Sequence, residues 1–284
     1  MLICPTKSEI RTAVAGYRAA GETVGLVPTM GFLHEGHMEL VRGARERADR
    51  VVVWIFVNPT QFENAGDLAA YPRDTERDLE MLRAEGVDAV YLPQPEEIYP
   101  EGAETIVETT RLANMLHGKV RPGHFRGVTT VVTKFFNIIQ PDLAMFGEKD
   151  YQQLQVIRRM VRDLHMPIEI VGLPTVREAD GLAMSSRNVR LTPEDRAAAV
   201  VLSRALDAAE RLAASGTTLE ELRDTITETI AAEPRAALKG LDVVAAESLE
   251  EIPGPLTGPT AIMLSVAFGE VLLIDQRVVT PKET

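Results

Sequence analysis

Residues 23–40, TVGLVPTMGFLHEGHMEL, contain a strand, a loop and the start of a helix in immediate succession. The apolar run Val24–Val27 predicts a buried strand, and Pro28 and Gly31 end it. A new amphipathic segment begins near His37. The rest of the chain is interpreted outward from this unit.

The loop ends in His34-Glu-Gly-His37, which places two imidazoles and a glycine at the N-terminus of a helix. The unpaired N–H groups and the dipole of a helix N-terminus attract polyphosphate, and the glycines allow close backbone approach. Histidine side chains add donors for a phosphate whose charge grows during reaction. Two histidines near a turn also occur as plain surface residues, but the strand before them and the helix after them favour a phosphate site.

Composition and charge bound the classes of protein. With 284 residues, 45% hydrophobic and 25% charged, the chain is long enough for a large α/β domain and a smaller one. We expect a cytoplasmic protein, because no apolar run reaches membrane-spanning length and the N-terminus lacks the pattern of a secretory signal. The single cysteine, Cys4, forbids an intramolecular disulfide and is expected to be inert packing. A net charge of −12 argues against nucleic acid or an anionic membrane as partner, so an anionic substrate needs a local basic pocket.

Helices and a second strand are predicted on both sides of this unit. A capped helix is predicted over Thr6–Gly21, a helix over His37–Arg50 and a second buried strand over 51–57. That strand is followed by Asn58-Pro-Thr-Gln-Phe62. Ligands of open parallel sheets lie at the carboxyl ends of the strands, so this segment and the His34–His37 loop are expected to face each other.

The middle of the chain carries weaker signals. Glu63–Tyr71 is small and polar, and is either a mobile flap or an ordinary surface loop. The remaining predictions are a helix over 74–85, a strand over 87–92, a Pro-rich connection over 93–100 and a short strand over 105–109.

A basic, glycine-containing turn, Arg121–Gly127, precedes a buried helix that ends near Ile139. It is either a second anion-binding corner or a salt-bridged helix cap. A further strand, 143–146, leads into Gly147-Glu-Lys-Asp150 and a helix over 151–164. Lys149 could reach a phosphate and Asp150 could accept ribose hydroxyls, although charged turns are commonly just solvated.

A strand over 168–173 ends the first pattern, and we place a domain boundary after residue 175. The second domain, 176–284, is predicted to be a smaller α+β unit. Its predicted elements are a loop at 184–188, helices over 194–214 and 217–231, strands near 241–246, 261–267 and 271–275, and a Pro/Gly linker over 253–259.

Five separated segments resemble, in order and spacing, motifs of the pantothenate synthetase (pantoate–β-alanine ligase) family of HxGH nucleotidyltransferases. They are Pro28–His37, Asn58–Phe62, Arg121–Val128, Phe146–Gln153 and Met184–Asn188. The resemblance spans most of residues 1–190, whereas the last hundred residues are only generically similar. One difference is Thr60, where methionine is common in the family.

The resemblance implies an α/β fold: a Rossmann-like parallel-sheet nucleotidyltransferase domain over 1–175, binding ATP and pantoate, with a smaller α+β C-terminal lid domain over 176–284. It implies a homodimer that makes pantothenate from pantoate, β-alanine and ATP with Mg²⁺. Pantoate first forms pantoyl adenylate and releases pyrophosphate, and the β-alanine amine then displaces AMP.

The resemblance also implies residue roles. The implied catalytic residues are His37 as proton donor, His34, Lys149 and Arg187. The implied ATP contacts are Met30 and Gly31 in the loop, His34, His37, Lys149, Ser185, Ser186 and Arg187 at the phosphates, Gly147 and Asp150 at the ribose, and Val176 and Met184 at the adenine. The implied substrate contacts are Gln61 and Gln153 on pantoate, with Met30, Phe62, Val131 and Val132 around its methyl groups. No protein ligand to the metal is assigned.

The chemistry of these residue types is consistent with that assignment. Phosphoryl chemistry needs positioning and charge neutralisation more than a protein nucleophile. Neutral glutamines suit a carboxylate that must itself attack, because a cationic clamp would stabilise its ground state.

Two other classes compete. One is another HxGH nucleotidyltransferase, such as a phosphopantetheine adenylyltransferase or a small aminoacyl-tRNA-synthetase-like enzyme. The acidic balance argues against tRNA, and the pair Gln61 and Gln153 favours a small hydroxy acid. The other is a nucleotide sensor without catalysis, which would bind ATP and release no pyrophosphate.

Overall fold

The chain is described by a computed structural model over residues 1–62 and 65–281. It divides into two compact units, which are treated separately below. The first comprises Met1–Gly147 and Gln152–Pro174, and the second comprises Glu148–Tyr151 and the chain from Thr175 onward. The sequence interpretation had left 148–151 in the first domain.

The first part of the chain alternates strands and helices. In order, its elements are β1 (Leu2–Cys4), α1 (Lys7–Ala19), β2 (Val24–Thr29), α2 (Glu35–Arg45), β3 (Arg50–Ile55), α3 (Ala65–Ala69), α4 (Thr75–Ala84), β4 (Ala89–Tyr91), α5 (Pro95–Ile98), α6 (His117–Val120), α7 (His124–Ile139), β5 (Leu143–Gly147), α8 (Tyr151–Asp163) and β6 (Glu169–Leu173). Short 3₁₀ turns lie at Pro59–Gln61, Leu112–Asn114 and Glu148–Asp150.

The strands form a sheet of order β1-β4-β3-β2-β5-β6 in which every described neighbouring pair is parallel. Both faces are covered, which explains why the strands are apolar without alternation. On β3, Val51 and Val53 enter the core on one face, and Val52 and Trp54 enter the core on the other. The Trp54 ring stacks on Phe135 of α7 with centroids 3.7 Å apart.

The strand order reverses at β2. β3 and β4 lie on one side of it and β5 and β6 on the other, and Thr29 at the end of β2 is in register with Ile55 at the end of β3. The loops that follow these strands therefore leave the same edge of the sheet, where ligands of such sheets bind.

The strand predictions differ from the structure in two places: one strand was missed, and one predicted strand is absent. β1 was not predicted, because Leu2 and Ile3 are exposed and leave no periodic apolar signal. Residues 105–109 do not form a strand. Threonine side chains of α7, instead of a neighbouring strand, bond to this backbone. Thr130 Oγ1 accepts the Val107 N–H, and Thr129 Oγ1 donates to the Val107 carbonyl.

Two connections contain helices that the sequence interpretation treated as loop. Ala65–Ala69 of the predicted flap is helical, while its first residues, Glu63 and Asn64, lie outside the described residues. Pro95–Ile98 forms a short helix with proline at its first position, where the missing N–H costs no hydrogen bond. No helix within the described ranges is long and apolar enough to span a bilayer.

The second unit packs helices on an antiparallel sheet of order β7-β8-β9. Its elements are a 3₁₀ turn at Asn188–Arg190, α9 (Pro193–Ala198), α10 (Val201–Ser215), α11 (Leu219–Ala231), β7 (Ala237–Ala245), β8 (Thr260–Phe268) and β9 (Val271–Val279). The helix predicted over 194–214 is therefore two helices. Together with the parallel sheet, this α+β unit confirms the predicted fold class.

Candidate active site

The loop after β2 turns through two residues with positive φ, Gly31 at +81° and Phe32 at +51°. A Cβ on Gly31 would lie 3.0 Å from Ile55 Cγ2 and 3.1 Å from Asp78 Oδ2, so both side chains would have to move by a few tenths of an ångström to admit it. The Gly31 N–H donates to Thr29 Oγ1, whose hydroxyl donates to the Trp54 carbonyl at 2.9 Å. The positive φ therefore favours glycine here, and the close neighbours add to that preference.

A buried carboxylate from α4 holds the same loop. Asp78 is 1% exposed, and its two oxygens accept the N–H groups of Phe32 and Leu33, each at 2.7 Å. Burial raises the pKa of Asp78, and the two N–H bonds oppose that shift. Sequence reasoning missed this residue, because Asp78 ends a charged segment that looks like a solvated helix face.

His34 and His37 cap α2 with their own side chains. His34 is the N-cap residue, and its Nδ1 accepts the Gly36 N–H at 3.2 Å. His37 Nδ1 accepts the His34 N–H at 3.2 Å, and the ring centroids are 4.1 Å apart. In the neutral rings, an accepting Nδ1 places the proton on Nε2, which makes each Nε2 a donor.

This corner has the chemistry of a phosphate site. Two imidazole donors lie half-buried at the positive end of a helix, at the carboxyl edge of a parallel sheet. Donors fixed before reaction stabilise charge that develops on a departing phosphate without reorganising.

Asn58 organises the segment after β3. It is 1% exposed, and its Nδ2 donates to Gln61 Oε1 at 3.0 Å and to the Gly127 carbonyl at 3.2 Å. Its Oδ1 accepts from Tyr99 Oη at 2.8 Å and from Thr60 Oγ1 at 2.9 Å. Because Asn58 donates to the oxygen of the Gln61 amide, the nitrogen of that amide is left to act as a donor.

The Gln61 amide nitrogen lies 3.1 Å from Met30 Sδ, so the loops after β2 and β3 meet. This confirms the expectation that they face each other. Thr60 is accommodated because its hydroxyl finds partners in Asn58 and Tyr99. Phe62 packs edge-on against Tyr71, with centroids 5.8 Å apart.

The basic turn before α7 braces the Gln61 segment. His124 Nδ1 lies 2.9 Å from the Gln61 carbonyl, and the first turn of α7 packs on Pro59–Gln61. Gly127 permits this contact, since a Cβ there would lie 2.5 Å from the Thr60 carbonyl oxygen. An anion at Arg121 or Arg126, and the alternative salt-bridged cap, stay predictions.

Substituting Gly127 with alanine is expected to lower the free energy of unfolding by about 1–3 kcal/mol, because backbone must move to admit the methyl group. The same shift would displace Gln61. Urea unfolding of Gly127→Ala measures the effect. Gly16→Ala in α1 is the matched control: nothing lies within 4 Å of its Cβ position, so it should gain about 0.5–1 kcal/mol. A Gly127→Ala protein as stable as wild type would contradict the close packing.

The other predicted pantoate residues of the first unit are placed less distinctively. Val131 and Val132 are 4% and 3% exposed and belong to the core under the sheet. Gln153 is half-buried on α8. Its neighbour Gln152 is buried and structural, since its side chain bonds the Leu112 and Met115 carbonyls.

In the second unit, Lys149 and Asp150 lie on the 3₁₀ turn after β5, with Lys149 Nζ 3.8 Å from Asp150 Oδ2. Gly147, the last residue of β5, has open space at its Cβ position. The Lys149–Asp150 contact is a loose ion pair, and such a pair contributes little to the stability of the fold.

The segment that carries Ser185, Ser186 and Arg187 extends from a braced hairpin. The Met184 N–H donates to the Val176 carbonyl at 2.9 Å, and Arg177 pairs with Ala183 in a β-bridge. Arg177 also makes a bidentate ion pair with the buried Asp275 of β9, at 2.8 and 3.0 Å. Sequence reasoning did not find Arg177 or Asp275, whose pairing joins residues far apart in the chain.

The comparison with known families decides which family the chain belongs to. A model of the pantoate-beta-alanine ligase family matches residues 2–278. The chain belongs to this family. The resemblance seen in the five motifs is thereby confirmed, and the family covers the last hundred residues as well.

Relatives and solved structures of pantothenate synthetases match along the whole chain. A pantothenate synthetase of Sinorhizobium medicae is 55% identical, covering 98% of this chain and 96% of the relative. The crystal structure of the pantothenate synthetase from Thermus thermophilus is 46% identical, with a TM-score of 0.93 and coverage of 99% and 100% of the two chains. The Francisella tularensis pantoate-beta-alanine ligase, solved in complex with beta-gamma ATP and beta-alanine, is 35% identical, with a TM-score of 0.80 and coverage of 98% and 97%.

Family membership removes the competing assignments. The chain is an enzyme of the ligase family, so neither a phosphopantetheine adenylyltransferase, nor a tRNA-synthetase-like enzyme, nor a nucleotide sensor describes it. What remains to assign is the role of each residue.

Proposed function

We propose that this chain condenses pantoate with β-alanine in a reaction driven by ATP, releasing AMP and pyrophosphate. The observation that carries the proposal is the family match over residues 2–278. The two-histidine cap of α2 supports it, because imidazole donors at a helix N-terminus suit the phosphates that this chemistry involves.

The reaction runs in two steps. A carboxylate oxygen of pantoate bonds to the α-phosphorus of ATP, the bond to the bridging oxygen breaks, and pyrophosphate leaves. The amine of β-alanine then attacks the acyl carbon of pantoyl adenylate. The amide bond forms as the acyl–oxygen bond breaks, AMP leaves, and the nitrogen loses a proton.

We assign the first unit to the leaving phosphates and to pantoate. The Nε2 donors of His34 and His37 would stabilise the departing pyrophosphate, with His37 as proton donor, and Met30 and Gly31 would lie against ATP. Gln61 and Gln153 would bind the carboxyl and hydroxyl groups of pantoate. The pre-oriented donor nitrogen of Gln61 supports this role. Phe62, Val131 and Val132 would contact the methyl groups.

For the second unit we propose contacts to the rest of the nucleotide. Lys149, Ser185, Ser186 and Arg187 would bind the β- and γ-phosphates, Gly147 of β5 and Asp150 the ribose, and Val176 and Met184 the adenine through backbone groups. The braced hairpin supports the Met184–Arg187 assignment, since a fixed backbone positions its donors without loss of entropy on binding.

Mg²⁺ belongs to this chemistry as a partner of the ATP phosphates. In the described part of the chain no group of three or more His, Cys, Asp or Glu side chains is placed to hold a metal ion. Among the described residues, side chains alone therefore do not form a magnesium cage. We propose that the ion is bound mainly by phosphate oxygens and water, the common arrangement for Mg²⁺ with nucleotides, where it would neutralise phosphate charge.

Omitting each substrate in turn tests the function. AMP should form in steady state only when ATP, pantoate and β-alanine are all present. ATP binding without any pyrophosphate release would contradict the proposal.

We also propose that the protein is a homodimer and is located in the cytoplasm. Light scattering of the full chain measures the oligomeric state, and cell fractionation measures the location.

With ATP in excess over enzyme and with β-alanine omitted, we expect one equivalent of pyrophosphate per site and then near arrest, because the adenylate is retained. The lid role of the second domain is a proposal, and Arg187→Ala tests it: the burst should slow and free AMP should leak. The matched control is Arg190→Ala, another exposed arginine of the same segment. Steady AMP release by wild type without the amine would contradict retention.

A further inference from the structure

We infer that Asp78 is a positioning residue for the phosphate-binding corner: by fixing the backbone of residues 31–33 it sets the start of α2 and the rings of His34 and His37. The inference rests on the proposed function for its kinetic consequence. Its structural consequence can be measured independently of any activity.

Asp78 makes two short hydrogen bonds to the backbone of the loop. Asp78 Oδ2 accepts the Phe32 N–H and Oδ1 accepts the Leu33 N–H, both at 2.7 Å. Charge-assisted bonds of this length are stronger than neutral ones. They end one residue before the N-cap His34, so any rotation of this backbone is passed directly to the capping imidazoles.

Phe32 shows why the loop needs support. Its φ of +51° lies in the left-handed region, which bulky residues rarely adopt. A backbone in such a conformation persists only where its surroundings determine it. Asp78 supplies part of that determination, and the glycine at position 31 leaves the space in which the carboxylate lies, 3.1 Å from the Cβ position.

The burial of Asp78 indicates a purpose other than packing. A carboxylate that is 1% exposed is costly to bury, and here the two backbone N–H groups that it accepts offset that cost. The helix that carries it is firmly held, since Leu79 and Leu82 lie in the core. Asp78 therefore transmits the position of a rigid helix to the loop.

The same contacts distinguish Asp78 from a catalytic residue. Both oxygens are used by main-chain N–H groups, and the side chain is shielded from solvent. It is therefore not placed to touch ATP, pantoate or a metal ion. It acts through His34 and His37.

The test is Asp78→Asn, which keeps the volume but turns one acceptor into an amide donor that faces an N–H group. We expect kcat for pyrophosphate release to fall about 10²-fold, as for a small misplacement of reacting groups. KM for ATP should change by no more than about threefold, because the lost interaction is made mainly in the transition state. The matched control is Asp74→Ala, which removes a cap of the same helix and leaves the loop bonds intact.

Two further measurements make the result decisive. Imidazole ¹⁵N signals of His34 and His37, and hydrogen exchange of the Phe32 and Leu33 amides, should change in Asp78→Asn but not in Asp74→Ala. In Asp78→Asn, adding Phe32→Gly should recover part of the lost kcat, since glycine adopts a positive φ without help. That recovery also answers the case in which Asp78→Asn folds poorly.

Each outcome has one meaning. Unchanged imidazole and amide signals in Asp78→Asn, or an equal loss of kcat per folded molecule in Asp74→Ala, would overturn the inference. If wild type itself released no pyrophosphate, the proposed function would fail, and the imidazole and amide signals would still decide the role of Asp78.

Discussion

Substituting His37 with asparagine is expected to lower kcat by about 10²–10³-fold, the usual loss for one donor to a developing oxyanion. The helix should stay intact, because Asn Oδ1 can take the place of Nδ1 and accept the His34 N–H. The Nε2 donor is lost, and only the transition state depends on it. KM for ATP should therefore change much less than kcat. Steady-state AMP formation with saturating pantoate and β-alanine measures both.

A complementary variant separates capping from catalysis. His37→Gln can place its amide nitrogen near the position of Nε2, but it lacks the Nδ1 acceptor, so it should keep more activity and lose more stability. Substituting His34 with asparagine or with glutamine should have the same two effects, since His34 Nδ1 accepts the Gly36 N–H. His165→Asn is the matched control: this histidine is exposed and has a positive φ that asparagine tolerates. A kcat of His37→Asn equal to that of wild type would remove the imidazole from the mechanism.

Substituting Gln61 with glutamate should reduce kcat/KM for pantoate by about 10³-fold or more. Glutamate can still accept the Asn58 Nδ2 bond, but it loses the donor nitrogen and sets a negative charge against the carboxylate of the substrate. Unpaired polar groups and like charges at close range cost several kcal/mol together. ATP should bind as in wild type, which calorimetry can measure.

Gln153→Ala should likewise abolish pantoate-dependent exchange between ATP and pyrophosphate while ATP still binds. Gln94→Glu makes the same chemical change as Gln61→Glu at an exposed position and should leave both properties unchanged. Loss of ATP binding in Gln61→Glu would mean that pantoate has been assigned to the wrong residues.

The elements that could be predicted from sequence are those with strong local signals. The capping box of Thr6 and Glu9 and the continuous apolar run of β3 each determine an element without reference to the rest of the chain. β1 could not be found in this way, because its three residues become a strand only by pairing with β4. The strand prediction over residues 105–109 was wrong for the opposite reason. Their β-branched pattern predicts a strand, but Thr129 and Thr130 of α7 satisfy the backbone instead.

The site shows the same division. The spacing of His34 and His37 predicted a phosphate corner, because it depends on one turn of one helix. That both rings also cap the helix through Nδ1 is a matter of rotamers, on which sequence is silent. Asp78 was missed because a carboxylate in a charged segment has the same letters whether it is solvated or buried. Asp275, in the apolar strand β9, was missed because its partner Arg177 lies far away in the chain. Only their distant partners reveal their roles.

The position of β1 at the outer edge of the sheet has a consequence for the order of folding. Leu2 pairs with Ala89, whereas β2 and β3 join across a short connection through α2. Contacts between residues far apart in sequence form late, since closing a long loop costs entropy before any contact offsets it. During synthesis on the ribosome, the first strand to emerge must therefore wait for β4. We expect β1 to dock only after β2 and β3 have paired and the loop between β2 and α2 has formed.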